Sequence, residues 1–321
     1  MAAANEALIL DPREFTLHTK QRGLWAQAWQ RLVRNRLAVA AAVVLAVVII
    51  VAGSASFIDW VERYNPNTQI YTTVQLGPSW GHFFGTDNLG RDQWARVLEG
   101  LRISLKIGIG TQIVVLAVGI LVGAGAALGG KFTDNLLMRF TDLTYAFPDL
   151  LAIIIMRAVL GQRSWPVLGT GDPQIPGLPG PILQMILAIS FVSWVTVARL
   201  VRGQMLSLNE TDYVQAARSM GASTPRIVFS HMLPNTLGPV SVAITFGIPL
   251  AIFAEAVLGF IGFGLAPPAA SLGTLVNEGF TYYRVNVWMI VIPSMAIALL
   301  MMCFTFLGDG LRDALDPRTR R

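Results

Sequence analysis

The stretch LAVAAAVVLAVVIIVAGSASF, residues 37–57, contains no charged side chain. A helix rises about 1.5 Å per residue, so a stretch of this length can cross a hydrocarbon layer of roughly 30 Å. Unbroken apolar runs are typical of transmembrane helices, whereas the strands of a membrane β-barrel alternate between apolar and polar residues. The stretch therefore predicts an all-α, membrane-spanning fold.

The composition of the 321-residue chain agrees with that fold class. Hydrophobic residues make up 54% of the chain and charged residues 13%, and the mean hydropathy is +0.56. In soluble domains about a quarter of the residues are charged. We predict a polytopic protein with about six transmembrane helices, at residues 37–58, 104–129, 135–160, 181–206, 237–263 and 288–308.

The distribution of Lys and Arg predicts the orientation. With the N-terminus inside, 16 of the 24 basic residues lie on the cytoplasmic side, as the positive-inside rule requires. We expect a multi-pass protein of the cell inner (plasma) membrane with both termini in the cytoplasm, and no nucleic-acid partner. Its parts are a cytoplasmic segment (1–36), the first transmembrane helix with an extracytoplasmic loop (37–103), the main transmembrane domain (104–310) and a cytoplasmic tail (311–321).

A polar segment, DYVQAARSMGASTPRIVFSHMLPN at residues 212–235, separates the fourth and fifth apolar runs. Its local signals predict two short helices on the cytoplasmic side. The first ends at Gly221, a residue suited to the left-handed position after a helix. Ser223 or Thr224 can cap the second, with Pro225 at its first position, and we expect Pro234 to end it.

The spacing of Gln215-Ala216-Ala217, Gly221 and Leu233-Pro234 resembles the cytoplasmic EAA loop of ABC importer permeases. The chain departs from the family pattern at Gln215, where the family has Glu, and at His231, where it has Ile. In that family the helix–turn–helix docks in a groove of the ATPase subunit and transmits its closure to the membrane. The resemblance implies a coupling role for Gln215, Ala216, Ala217, Arg218, Gly221, Arg226, His231, Leu233 and Pro234.

Three more stretches resemble the C-type permease subunit of dipeptide and oligopeptide importers. They are FGTDNLGRDQWARVLEGLRISL (84–105), FAEAVLGFIGFGLAPPAASLG (253–273) and LGDGLRDALDPRTRR (307–321). The resemblance covers roughly residues 25–321 and implies a type I ABC importer (MetI-like) permease fold. It also implies the partners: a second homologous permease subunit in a heterodimer, two ATP-binding subunits, an extracytoplasmic substrate-binding protein, the lipid bilayer and a peptide substrate.

The chain itself lacks the motifs of an ATPase. The segment GGKFT at 129–133 has neither the first-glycine spacing of a P-loop nor a Ser or Thr directly after Lys. We therefore expect ATP and Mg to be bound by the partner ATPase subunits, and no cofactor by this chain. Since no metal-ligand or nucleophile motif stands out either, we predict no catalytic residue, no metal site and no enzymatic activity of its own.

Several charged positions are candidates for a role in transport. Glu255 lies inside a predicted span, where burying an ionised side chain costs about 2.5 kcal/mol or more. We therefore expect one of two roles: it lines the translocation path or a subunit interface, or it is a buried, hydrogen-bonded structural acid. Arg139 and Asp142 share one helical face and are expected to pair locally, with a role at the path or interface as the alternative. In the first loop, three residues are expected either to face the binding protein or to shape the loop and cap the second span: Asp87, Arg91 and Asp92.

These features together predict a function. We expect a permease subunit of an ABC importer that moves di- and oligopeptides by alternating access, driven by separate ATPases. Importers of nickel chelates, glutathione or other small solutes share this architecture and are the alternatives. An ion-coupled secondary transporter would need clusters of ionisable intramembrane residues and interrupted inverted repeats, which this sequence matches poorly.

Overall fold

A computed structural model describes residues 24–55, 57–162 and 179–315. Regular structure in these ranges is helical, with one isolated antiparallel bridge between Thr86 and Asp92. The helices are α1 (Leu24–Arg34), α2 (Arg36–Ser54), α3 (Asp59–Glu62), α4 (Gln93–Leu128), α5 (Gly130–Tyr145), α6 (Asp149–Gln162), α7 (Gly180–Asn209), α8 (Asp212–Ser219), α9 (Thr224–Ile227), α10 (Leu233–Phe260), α11 (Leu272–Tyr282) and α12 (Trp288–Leu315).

The helix lengths confirm an all-α, membrane-spanning fold. Within the described ranges, five helical segments are long and apolar enough to cross a membrane: α2, α4, α7, the segment from α9 to α10, and α12. A sixth span is present if α5 and α6 are counted as one. The expected number of about six is therefore confirmed as five to six.

The expected third span, 135–160, is not a single straight helix. α5 and α6 meet at an angle of 91°. Pro148 explains the break, because it has no N–H to donate and its ring disfavours helical backbone at the preceding Phe147. The chain therefore turns sharply between Tyr145 and Asp149.

Several boundaries drawn from the sequence fall inside helices. α4 begins at Gln93, well before residue 104, because the Asp92 carboxylate caps it by accepting the Ala95 N–H at 2.9 Å. α12 continues to Leu315, so the predicted boundary at 310–311 also lies within a helix. The predicted cytoplasmic segment contains α1, which packs against α12. Residues 1–23 and 316–321 of the two predicted terminal segments lie outside the described residues.

The most extensive helix contact in the fold lies between α4 and α7. Glycine residues of α4 allow this contact. A Cβ added at Gly123 would lie 2.5 Å from the Ala198 carbonyl oxygen, and one added at Gly119 would lie 2.6 Å from the Val197 Cγ1. Gly125 and Gly129 instead face residues of α5. Gly119 and Gly123 therefore allow α4 and α7 to approach closely. Below, the "α8 end" of the bundle contains α8 and α9, and the "loop end" contains residues 57–92 and α11.

Candidate coupling surface

The polar segment at the α8 end has an inward and an outward face. Val214 and Ala217 are buried and pack in one cluster with residues of α7 and α9, since a spacing of three places them on one side of the helix. Gln215, Ala216 and Arg218 are exposed. Both alanines were expected to lie against a partner, but only Ala216 faces outward; Ala217 belongs to the core of this chain.

The turn after α8 has the predicted geometry. Gly221 has φ = 83°, in the left-handed region. Its N–H donates to the Arg218 carbonyl at 3.0 Å, and the Ala222 N–H donates to the Ala217 carbonyl at 3.1 Å. This pair of bonds is the usual termination of a helix by a left-handed glycine. A Cβ at Gly221 would meet nothing within 4 Å, so glycine is required there for its backbone conformation.

The prediction that Pro234 ends the second helix is wrong. After α9 the backbone widens into a π-helical turn at 228–232 and continues directly into α10. The Leu233 N–H reaches back to the Val228 carbonyl, and Pro234 follows in the first turn of α10, where a missing N–H is tolerated. Residues 224–260 therefore form one continuous helical segment, which joins the polar segment directly to a membrane span.

Two apolar side chains beside the turn were not predicted from the sequence. Met220 is 82% exposed and Phe229 is 70% exposed. A spacing of three from Ala217 would place Met220 on the inward face, but α8 ends at Ser219 and the turn at Gly221 leaves this side chain exposed. Exposed apolar side chains among charged ones are typical of a protein-contact surface. We call the following exposed set the coupling surface: Gln215, Ala216, Arg218, Met220, Arg226 and Phe229.

The remaining predicted coupling residues lie at the margin of that surface. His231 is half-buried, with its ring 6.4 Å from the ring of Tyr213. Leu233 is half-buried and Pro234 is exposed. Within the surface, the Arg218 Nη2 donates to the Asn209 side chain at 2.7 Å. This bond ties α8 to the end of α7 and holds the arginine in place.

At the loop end, the predicted charged residues form a buried network. The Asp87 carboxylate accepts hydrogen bonds from Arg91 Nε at 2.6 Å and from Arg96 Nη1 at 2.8 Å. Both arginines also contact Glu278 on α11. Asp87, Arg91 and Asp92 are all buried, so they fasten the loop to α4 and α11. This geometry supports the loop-shaping interpretation, and it does not place these three side chains on a surface that faces a binding protein.

Glu255 on α10 is fully buried. It accepts a hydrogen bond from the Ser104 hydroxyl on α4 at 2.8 Å, and the same hydroxyl oxygen accepts the Leu272 N–H of α11 at 3.4 Å. The carboxylate thus lies where three helices meet. The arrangement favours the buried structural acid among the interpretations open from the sequence.

The expected local pair of Arg139 and Asp142 does not form. Asp142 instead accepts a hydrogen bond from Arg199 Nη2 on α7 at 2.8 Å, and Arg139 is exposed on α5. A second bridge between these helices joins Arg202 to Asp134 at 2.5 Å. α5 lies against α7, so the carboxylates of α5 find their partners on the neighbouring helix.

Comparison with known proteins identifies relatives over most of the chain. Residues 116–321 match the family model described as "Binding-protein-dependent transport system inner membrane component". Residues 23–78 match a second model, "N-terminal TM domain of oligopeptide transport permease C". Together the matches include α1 to α3 and α5 to α12, and residues 79–115, which hold most of α4, lie between them.

Curated relatives of the chain include two permeases of Bacillus subtilis (strain 168). Its oligopeptide transport system permease protein OppC is 35% identical over 305 residues, which is 94% of this chain and 92% of the relative. Its dipeptide transport system permease protein DppC is 37% identical over 295 residues, which is 92% of this chain and 86% of the relative. Among solved structures, the MetNI methionine ABC transporter in an inward-facing conformation is 20% identical, with a TM-score of 0.48 over 68% of this chain and 94% of that chain.

Proposed function

The chain belongs to the family of binding-protein-dependent transport system inner membrane components, and from this membership we propose that it is the membrane-spanning permease subunit of an ATP-driven importer of di- and oligopeptides. The observation that carries the substrate class is the 35% and 37% identity to an oligopeptide and a dipeptide permease over more than nine-tenths of the chain. This likeness favours peptides over nickel chelates, glutathione or ion-coupled transport.

In the proposed assembly the α8 end and both termini lie in the cytoplasm, and the loop end lies outside. The excess of Lys and Arg at the α8 end supports this orientation. A second, homologous permease subunit completes the path, and two ATPase subunits bind Mg-ATP and dock on the coupling surfaces. A substrate-binding protein delivers the peptide at the loop end.

The coupling surface is connected to the membrane in a way that suits transmission of force. α8 is joined to α7 through a short break, whereas α9 continues through the π-helical turn into α10. Glu255, towards the far end of α10, binds α4 through Ser104. When the ATPases close, a displacement of α9 is carried along α10 to the helices of the loop end. In this mechanism, nucleotide binding at the ATPase subunits shifts the equilibrium of the distant helix bundle between two conformations.

The substrate class is tested by reconstitution. The complete assembly, with ATPase and binding-protein subunits, is placed in liposomes, and uptake of a labelled mixture of di- and oligopeptides is measured with ATP and with a non-hydrolysable analogue. ATP-dependent peptide accumulation is the expected result. ATP-dependent uptake of glutathione or a nickel chelate, without peptide uptake, would refute the proposal and favour an alternative substrate.

The coupling role is tested at Gly221. Proline cannot adopt φ = 83° and removes the N–H that donates to Arg218. We expect Gly221→Pro to insert in the membrane but to lose ATPase subunits during purification and to lose peptide-stimulated hydrolysis. The matched control is Gly130→Pro, because Gly130 has φ = 78° with open space around it and is the first residue of α5. ATPase subunits retained by Gly221→Pro, or lost equally from both variants, would contradict the assignment.

A further inference from the structure

A cleft at the loop end lies between α4, α6, α7 and the segment that precedes α11. Its volume is about 710 Å³, within the range of roughly 300–1,000 Å³ that is usual for small-ligand pockets. Much of its wall is apolar, including Ile103, Ile182, Leu265 and Ala269. We call this space the loop-end cleft. It lies far along the bundle from the coupling surface.

The charged side chains of the loop-end cleft are unevenly balanced. Three are basic and one is acidic: Arg102, Lys106, Arg157 and Glu99. Glu99 and Arg102 are three residues apart on α4, so the carboxylate lies beside a guanidinium of its own helix. Arg102 also forms an ion pair with Glu62 at 2.9 Å. Lys106 on α4 and Arg157 on α6 supply the remaining positive charge of the cleft.

Arg157 on α6 has a neutral partner. Its Nη1 donates to the side-chain oxygen of Gln184 on α7, a residue that is 1% exposed. Its Nε is buried without a hydrogen-bond partner, and no carboxylate in the described ranges forms an ion pair with it. A charged side chain within a membrane span ordinarily faces a cavity or the bundle interior, where it can pair with a group of opposite charge. Gln184 fixes one edge of this guanidinium without neutralising it.

We infer that the loop-end cleft binds the C-terminal carboxylate of a peptide in transit, with Arg157 as the recognition residue and Gln184 as its positioning residue. A guanidinium forms strong paired hydrogen bonds with a carboxylate. The terminal carboxylate is common to all unmodified peptides, and the apolar walls accept side chains without requiring one kind. This inference rests on the proposed function and names the group of the substrate that the permease itself recognises.

The test compares a peptide with its C-terminal amide. The full assembly is reconstituted in liposomes, and uptake of trialanine and trialanine amide is measured, each divided by its occupancy of the binding protein, which is measured separately. We expect the wild type to prefer the acid, and Arg157→Gln to lower the acid-to-amide ratio about tenfold, as loss of a hydrogen bond to a charged group predicts. Arg157→Lys should keep part of the preference, because the charge remains. The control is Arg34→Gln, an exposed position on α1, which should leave the ratio unchanged.

The possible failures are distinguishable. An unchanged ratio in Arg157→Gln, or a wild type that transports acid and amide equally, overturns the inference and leaves the proposed function intact. Equal losses for both peptides show that Arg157 holds the fold or a lipid phosphate, and they also overturn it. A wild-type assembly that transports neither peptide refutes the proposed function and this inference with it.

Discussion

The contact between α4 and α7 yields a prediction whose magnitude follows from the geometry. In Gly123→Ala the new Cβ would lie 2.5 Å from the Ala198 carbonyl oxygen and 2.8 Å from the Val201 Cβ. Neither atom can move by a change of rotamer, so the helices must separate, and such overpacking costs about 1–3 kcal/mol. Alanine gains up to about 1 kcal/mol over glycine inside a helix. We expect a net loss of about 1–2 kcal/mol in the free energy of unfolding.

The matched control lies two residues further along the same helix. In Gly125→Ala the nearest atom to the new Cβ is the Leu137 Cδ1 at 3.5 Å, an ordinary van der Waals contact. Only the helix propensity should count there, so this variant should be more stable by up to about 1 kcal/mol. Thermal unfolding of the two purified variants in the same detergent should give midpoint shifts of opposite sign. Stabilisation of both would refute the close packing of α4 on α7.

Two further predictions concern the ends of the bundle. Asp87→Ala should destabilise the protein by about 3 kcal/mol, because it removes a buried carboxylate that pairs with Arg91 and Arg96. Asp142→Ala breaks an exposed ion pair and should cost only about 0–1 kcal/mol. Equal midpoints of the two variants in thermal unfolding would contradict this prediction. Met220→Glu should leave stability within about 0.5 kcal/mol of wild type, since the side chain is exposed, but should reduce the ATPase subunit retained on purification. Unchanged retention would remove Met220 from the coupling surface.

Features that depend on residues adjacent in the sequence were predictable from the sequence alone. The length of the apolar runs predicted membrane-spanning helices, and Gly221 predicted a left-handed turn that has φ = 83° in the structure. Capping by Asp92 was one of two interpretations open for that residue, and its carboxylate does accept the Ala95 N–H. Each depends on a few residues in sequence: a hydrophobic run, a missing Cβ, a side-chain oxygen before a helix.

The partners of the charged residues were decided by the tertiary structure. Asp142 was expected to pair along its own helix but binds Arg199, and Arg96 binds Glu278, 182 residues away. The predicted helix end at Pro234 was wrong, because a π-helical turn at 228–232 accommodates the proline and the helix continues. A local pattern determines whether a segment is helical and which face is apolar. Which other helix lies against that face depends on bends such as the one at Pro148 and on small residues that admit close approach, and these act only when the whole bundle is packed.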